Sequence, residues 1–273
     1  MARVFIGVGH GGTDPGAVGY LVGEDVNLEM ARACYDYLQA RGIDTRISRT
    51  GDVTDKLVSK IDRCNAFAPD LALDIHNNAG GGDGFEIFHS VVGGKGKELA
   101  QNIEKEVVKI GQNSRGLKTK KNSYGHDYFG FIRSTICPAV ICEGVFVDNK
   151  ADAAQADTDA ECLAFGEAYA RGILATLGIA DTAGKTDTTS KPNGASGTKT
   201  PAPATGNTSG YKVKVTANGL NIRKDAGVAH TVTGVIRDKG VYTIVAEKTV
   251  SGQKWGKLKS GAGWICLAYT KKV

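Results

Sequence analysis

The 273-residue sequence lacks several features that would restrict its class. No run approaches the roughly 20 apolar residues of a membrane-spanning helix, no basic segment leads into a long apolar core after Met1, and the six cysteines include no C-x-x-C pair. Hydrophobic residues make up 41 % and charged residues 23 %, as in ordinary globular proteins. We therefore expect a protein that is made and held in the cytoplasm, has no stable membrane insertion, and keeps its cysteines reduced and buried.

Composition divides the chain into three parts. Residues 1–179 carry 19 Lys/Arg and 24 Asp/Glu, a net charge of −5, whereas residues 211–273 carry 12 and 3, a net charge of +9. Between them, residues 180–210 are rich in Thr, Gly, Ser, Ala and Pro and have almost no large apolar side chains. Such a segment cannot bury enough surface to offset its ordering entropy, so we predict a flexible linker between two domains.

The acidic part alternates apolar strand-like runs with helical patterns. ARVFIGVG precedes NLEMARACYDYLQARG, in which Leu28, Ala31, Tyr35 and Leu38 are spaced as one face of a helix. The alternation continues to the helical run that ends near residue 178. This order predicts an α/β fold, with a mostly parallel sheet and helices on both faces.

Two histidines and a glutamate follow or end three of the strand-like runs. They are His10 in VFIGVGHGG, His76 in LALDIHNNA and Glu143 in AVICEGVFV. Because ligands collect beyond the carboxyl ends of parallel strands, these side chains are expected to meet at one edge of the sheet. Two imidazoles, a carboxylate and an open fourth position make a hydrolytic zinc site, and a further carboxylate can serve as its base; Glu24 in GYLVGEDVNLEMA supplies the additional carboxylate.

These motifs carry a family resemblance. GHGGTDPGAVG, GEDVNLEMA, DIHNNA and PAVICEGVFVDN occur in the same order and at similar distances as in zinc-dependent N-acetylmuramoyl-L-alanine amidases of the amidase-3 type, over roughly Ala2 to Ile179. The resemblance implies a twisted mixed sheet of about six strands. It also implies that His10, Glu24 and His76 bind zinc and that Glu143 is catalytic. Asn78, His126 and Arg133 are candidate contacts for the substrate peptide.

The basic part alternates short apolar and polar runs separated by glycine-containing turns, with no helical period. This pattern is typical of a small all-β barrel. LNIRKDAG, VIRDKGVYTIV and KWGKLKSGAGWICLAYT resemble the bacterial SH3-type domain that anchors cell-wall enzymes. We expect Trp255 and Trp264 to be core residues. The candidate wall contacts are Tyr211, Asn221, Arg223 and Tyr269.

The charge of this part does not by itself identify a partner. Anionic wall polymers and nucleic acid would both attract a net charge of +9, with similar salt sensitivity. No nucleic-acid-binding fingerprint is present, so the catalytic resemblance favours the bacterial wall and we predict no nucleic-acid partner.

The sequence therefore predicts a peptidoglycan hydrolase that uses zinc-activated water to cleave the amide between N-acetylmuramic acid and L-alanine. With no signal peptide evident, it resembles a phage or prophage endolysin held in the host cytoplasm until a holin releases it to act at the wall. A host autolysin, or a zinc peptidase or deacetylase acting on wall peptide or glycan, remains the alternative. The oligomeric state is not determined by the sequence.

Overall fold

A computed structural model describes residues 1–182, 210–216, 220–227, 230, 232–236, 238–250 and 253–273. The chain separates into two compact units, the first containing Met1–Asp181 and the second most of the strands from Tyr211 onward. The predicted linker, 180–210, lies almost entirely outside the described residues. Among the helices that are described, none has the length and apolar character needed to cross a membrane.

The first unit alternates strands and helices as the sequence predicts. Its strands are β1 (Arg3–Val8), β2 (Asp44–Ile47), β3 (Leu71–Asn78), β4 (Phe85–His89), β5 (Ser114–Lys118) and β6 (Ala139–Phe146). Its helices are α1 (Gly23–Gln39), α2 (Leu57–Phe67), α3 (Gly94–Lys109), α4 (Gly130–Ser134), α5 (Lys150–Ala153) and α6 (Asp159–Leu177).

The six strands form one sheet in the order β2-β1-β3-β6-β4-β5. All neighbouring pairs are parallel except β4 with β6, which is antiparallel. The expectation of a mixed, mostly parallel α/β sheet is therefore confirmed. The core also has the expected two layers: α1, α3 and α6 pack on one face of the sheet, and α2 and α4 cover the other.

The elements that were not anticipated from the sequence include β5 and α4. β5 is a short, polar edge strand with the residues SRGLK, and it lacks the apolar alternation that would reveal a strand. Its glycine has a φ of 85°. α4 is a single five-residue turn within a segment that reads as a loop. It forms because Phe131 and Ile132 bury their side chains against the sheet, a tertiary effect that local spacing does not show.

The second unit is an all-β body. Its strands are β7 (Tyr211–Val215), β8 (Leu220–Arg223), β9 (Val232–Ile236), β10 (Val241–Val250), β11 (Gln253–Leu258), β12 (Trp264–Cys266) and β13 (Thr270–Lys272), with a short 3-10 turn at Leu267–Tyr269. They form a sheet in the order β13-β7-β10-β11-β12-β8-β9. Trp255 and Trp264 are 3 % and 7 % exposed, which confirms that both are core residues. The likeness to an SH3-type domain stays a prediction.

Candidate active site

Three adjacent strands place the predicted catalytic side chains on the sheet face that α2 and α4 cover. On β3, Ala72 packs into the apolar core beneath these helices, and alternation puts Asp74 and His76 on the same face. His76 lies beside Glu143 of β6 in the parallel register. The face is therefore apolar near the amino ends of the strands and becomes polar toward their carboxyl ends.

His10 lies just beyond β1 in an unusual backbone conformation. Its φ is 59°, in the left-handed region that side chains other than glycine seldom adopt, and Gly11 and Gly12 that follow also have positive φ. Such strain costs on the order of 1–3 kcal/mol and persists only where the surrounding structure enforces it. Here the ring is held between Asp14, whose Oδ2 lies 2.8 Å from Nδ1, and Gly16, where a Cβ would approach to 2.5 Å of the ring.

The His76 ring occupies the space beside Gly9, which has no side chain. A Cβ on Gly9 would lie 2.5 Å from the imidazole ring, so only glycine at this position leaves room for it. Nε2 of His76 lies 3.3 Å from Oδ2 of Asp74, and Asp74 in turn accepts two hydrogen bonds from Nζ of Lys60, at 2.8 and 3.1 Å. Lys60 is 3 % exposed and Asp74 is 2 % exposed.

This buried chain of charges changes the pKa of its members. Burial would raise the pKa of Asp74, but the neighbouring Lys60 and His76 outweigh burial and hold that pKa well below its usual range. Burial lowers the pKa of His76, but the Asp74 carboxylate outweighs this and raises it above its ordinary value. The carboxylate is therefore charged throughout the neutral pH range.

The two predicted imidazole ligands are brought together at a distance that suits a single metal ion. Nε2 of His10 and Nδ1 of His76 are 3.3 Å apart, with the rings nearly perpendicular at 82°. Two nitrogens that are each about 2.0–2.1 Å from a tetrahedral zinc ion are separated by about 3.3 Å. On this distance and on their chemistry, the two donors fit zinc.

Hydrogen bonds from Arg49 link the backbone of Glu24 to the backbone next to His10. Nη2 of Arg49 donates to the carbonyl oxygens of both Gly9 and Glu24, at 3.0 and 2.8 Å, so the start of α1 is tied to the residue before His10. Glu24 is 9 % exposed, and among the described residues its Oε2 has no hydrogen-bond partner. Burial and the neighbouring Asp52 carboxylate raise the pKa of Glu24 to about 7. A buried carboxylate oxygen without a donor is suited to receive a cation.

The complete ligand set is nevertheless not gathered at one point. Within the part of the chain that the structure describes, no three His, Cys, Asp or Glu side chains lie close enough together to hold a metal ion. The structure thus pairs His10 with His76, and it does not place the Glu24 carboxylate beside them.

Glu143 has the properties of a proton-transfer group. It lies on β6 opposite His76 and lines the same cavity. Burial raises its pKa to about 7, with the nearby Glu86 and Asp74 carboxylates adding to the effect and His76 opposing it. A general base works best when its pKa is near the working pH, and a carboxyl group with a pKa near 7 can both take up and release a proton there.

A cavity of about 360 Å³ opens beside these residues. His10, His76 and Glu143 lie in its wall together with Asp74 and Lys60, and Leu57, Phe129 and Ile141 provide an apolar side. The cavity therefore offers a place where a substrate could meet the two imidazoles and Glu143, with an apolar surface beside them. Glu24 does not line it.

The three predicted substrate contacts are not among the lining residues. Asn78 donates to Glu86 at 3.2 Å, His126 is exposed on a turn closed by Asn122, and Arg133 donates to the carbonyl oxygens of Asp127 and Tyr128, at 2.7 and 2.8 Å. Arg133 thus holds together the loop that precedes α4. Contact of any of the three with substrate stays a prediction.

The four predicted wall contacts differ in exposure. Tyr211, Asn221 and Tyr269 are half-buried, and the Tyr211 hydroxyl donates to Glu247 at 2.5 Å. Arg223 is only 3 % exposed, and its guanidinium lies 5.9 Å from the ring of Trp255. The ten lysines among the described residues of this unit are all exposed, so their positive charge faces solvent.

Sequence reasoning missed the residues that support the site. Asp74 and Lys60 were not singled out, nor were Arg49 and Asn27, which both donate to the Gly9 carbonyl. One signal was available for Asp74: it is a carboxylate two residues before His76 within an apolar strand, where an unpaired charge would be costly. The partners of the other three lie on different elements, and no local pattern shows them.

The chain is similar to several known proteins. Residues 4–175 match the amidase-3 family model, described as N-acetylmuramoyl-L-alanine amidase. The chain is 30 % identical over 268 residues to the endolysin of Bacillus phage SPP1, covering 94 % of this chain and 93 % of that protein. It is 32 % identical over 178 residues to the N-acetylmuramoyl-L-alanine amidase CwlM of Bacillus licheniformis, covering 63 % and 68 %.

A solved structure supports the same grouping. Cwp6 from Clostridium difficile superposes with a TM-score of 0.63 at 33 % identity, covering 64 % of this chain and 29 % of that one. The chain belongs to the amidase-3 family of N-acetylmuramoyl-L-alanine amidases. It is accordingly a peptidoglycan hydrolase that cleaves the amide bond between N-acetylmuramic acid and the L-alanine of the stem peptide.

Proposed function

We propose that this amidase is zinc-dependent, with His10, His76 and Glu24 as the residues that hold the ion. The 3.3 Å separation of the two imidazole nitrogens carries this proposal. The buried, unpaired oxygen of Glu24 supports a third ligand from the start of α1 once its side chain turns toward the pair. When bound, zinc supplies Lewis-acid activation of the attacking water and of the scissile carbonyl.

Glu143 then performs the proton transfers. As a carboxylate it accepts a proton from the attacking water, and as a carboxylic acid it returns that proton to the amine of L-alanine as the amide bond breaks. A pKa of about 7 lets one group do both at neutral pH. Its place in the cavity wall with His10 and His76 supports this role.

The metal requirement can be tested by removing and restoring zinc. A strong chelator should abolish wall lysis, and one equivalent of zinc should restore it, because two of the three ligands are neutral imidazoles. The same imidazoles should begin to lose the ion as the pH falls toward about 6. Full activity of protein shown by elemental analysis to be metal-free would contradict the proposal.

The bond that is cut needs a separate measurement, because a zinc peptidase or deacetylase would use the same ligands. Mass analysis of digested peptidoglycan should show a new amine on L-alanine and intact glycan strands. A new free amine elsewhere in the stem peptide, or loss of acetyl groups from the sugars, would identify one of these alternatives.

We further propose that residues 211–273 form an SH3-like wall-binding domain, joined by the 180–210 linker to the catalytic domain, 1–179. The similarity to the phage endolysin along nearly the whole chain supports this division, and the exposed lysines suit an anionic wall polymer. In this arrangement the enzyme waits in the host cytoplasm, is released through a holin and acts on the wall.

Separate expression of the two parts tests the division. Because Asp181 pairs with Arg41 at 2.5 Å, the catalytic fragment should extend to residue 182. We expect it to cut soluble muropeptides at nearly the full-length rate and intact walls more slowly, with the difference shrinking as salt rises. A fluorescent fusion of residues 210–273 should bind walls without lysis; tight binding to nucleic acid instead of walls would contradict the assignment.

A further inference from the structure

The buried ion pair between Lys60 and Asp74 has no role in the reaction described so far. Both side chains are almost inaccessible to solvent, and Nζ of Lys60 is within hydrogen-bond distance of both oxygens of the carboxylate. Burying two charges in this way often stabilises a fold no better than well-packed apolar residues would. The position of the pair, directly against a proposed ligand, points to a function.

The surrounding residues make room for this pair. On β1, a Cβ at Gly7 would lie 2.3 Å from Oδ1 of Asp74 and 3.2 Å from the Lys60 side chain, while a Cβ at Gly9 would strike the His76 ring. Gly7 on β1 and Gly9 just beyond it thus leave a channel that Lys60, Asp74 and His76 occupy. The arrangement combines two side chains from β3 with one from α2.

The geometry relates the two nitrogens of His76 to different neighbours. Nε2 faces Oδ2 of Asp74 at 3.3 Å, and Nδ1 faces Nε2 of His10 at 3.3 Å. A neutral imidazole carries one proton, so a carboxylate that accepts it at Nε2 leaves the lone pair on Nδ1. Nδ1 is the nitrogen that must be unprotonated to bind a cation shared with His10.

We propose that Asp74 and Lys60 are positioning residues that fix His76 as the Nε2-protonated tautomer, with Nδ1 free for zinc. Asp74 accepts a hydrogen bond from the Nε2–H group of the ring. Lys60 donates to both carboxylate oxygens, and its positive charge balances the negative charge beside the ligand. This inference rests on the proposed zinc site. His10 has a weaker counterpart, because its partner Asp14 is 62 % exposed and competes with water.

The Asp74→Asn variant gives the sharpest test because it preserves shape. Lys60 can only donate, so it should retain the amide oxygen and turn the amide NH₂ toward His76. The ring must then accept at Nε2 and carry its proton on Nδ1, which is the wrong tautomer for the metal. We expect zinc affinity to fall by about 10- to 100-fold, measured by competition with a chromophoric chelator.

The double variant Lys60→Met/Asp74→Asn separates positioning from general damage. Without Lys60 the amide oxygen is free to accept from Nε2, so zinc affinity should recover relative to Asp74→Asn alone. A merely structural pair would instead give losses that add or worsen. Glu106→Gln, which breaks the ion pair between Glu106 and Arg171 away from the site, is the matched control and should leave zinc affinity unchanged.

The tautomer can also be read directly in metal-free protein by nitrogen-15 NMR of the histidine rings. We expect an Nε2 proton on His76 in the wild type and the double variant, and an Nδ1 proton in Asp74→Asn. An unchanged tautomer in folded Asp74→Asn would overturn the inference, whatever the zinc affinity. Retention of zinc by His10→Ala and His76→Ala would instead defeat the proposed metal site, and the metal-free spectra would still decide the role of Asp74.

Discussion

Ile75 and His76 are neighbours on β3, yet they point to opposite faces of a sheet whose two sides differ in almost every respect. The face beneath α1, α3 and α6 receives a continuous apolar layer from the central strands, including Leu73, Ile75 and Val140, all fully buried. On the opposite face, apolar side chains such as Phe5 lie near the amino ends of the strands. Glycine, carboxylate and imidazole groups lie near the carboxyl ends.

The comparison shows how one sheet can support stability and chemistry together. The larger apolar cluster supplies most of the burial that holds the first unit together. The face beneath α2 and α4 can therefore carry strained backbone and charged side chains, such as His10, Lys60 and Asp74, that do little for stability. If this division is correct, substitutions on the two faces should have separable effects.

The largest separation is expected between His76→Ala and Ile75→Ala. His76→Ala should lose zinc and activity while the unfolding free energy of the metal-free protein changes little, because the ring is half-buried in a polar channel. Ile75→Ala should cost about 2–5 kcal/mol of unfolding free energy and still bind zinc. Urea denaturation and elemental analysis measure the two quantities. Loss of zinc by folded Ile75→Ala would show that the faces are not independent.

The next effect concerns Glu143 on the polar face. Glu143→Gln removes the proton acceptor without changing the shape of the side chain, so turnover should fall by roughly 10² to 10⁴ while zinc stays bound. Glu86→Gln is the matched control, since Glu86 lies opposite Glu143 on β4 but pairs with Arg115 at 2.6 Å. Its effect on turnover should be far smaller. Loss of zinc in Glu143→Gln would instead make Glu143 a ligand.

A smaller effect should come from filling the gap at Gly9, just beyond β1. Gly9→Ala would force His76 aside, and a misplacement of about 1 Å can lower turnover by about 10²-fold. Gly51→Ala is a suitable control because a Cβ there would meet no atom of the described residues within 4 Å. Steady-state kinetics with zinc in excess compares the two. Equal activity of both variants would mean that the channel tolerates a shifted ring.

These predictions depend on features of which only some could be seen in the sequence. His10, His76 and Glu143 were recognisable because strand alternation and parallel pairing bring the ends of distant strands together. Lys60 was not, because it meets Asp74 only when α2 packs on the sheet, and the sequence does not encode that register locally. The left-handed conformation of His10 was likewise not anticipated, because residues other than glycine adopt it uncommonly.

The smallest predicted effect is a pH-dependent stability difference that only the polar face should show. Burial raises the pKa of Glu143 from 4.5 to about 7, so the folded protein binds this proton more tightly than the unfolded chain does. Between about pH 4.5 and 7 only the unfolded state releases this proton, so the unfolding free energy falls as the pH rises through that range. The full loss of stability remains above pH 7.

The glutamine side chain in Glu143→Gln is uncharged at every pH, so this variant should not lose that stability. Metal-free Glu143→Gln should match the wild type near pH 4.5 and melt several degrees higher above pH 7, by differential scanning calorimetry. Glu98→Gln, an exposed site on α3, controls for the loss of a carboxylate and should give no such divergence. If Glu143→Gln were less stable than the wild type at pH 8, the Glu143 carboxylate would be stabilised by its neighbours, and the polar face would contribute to stability after all.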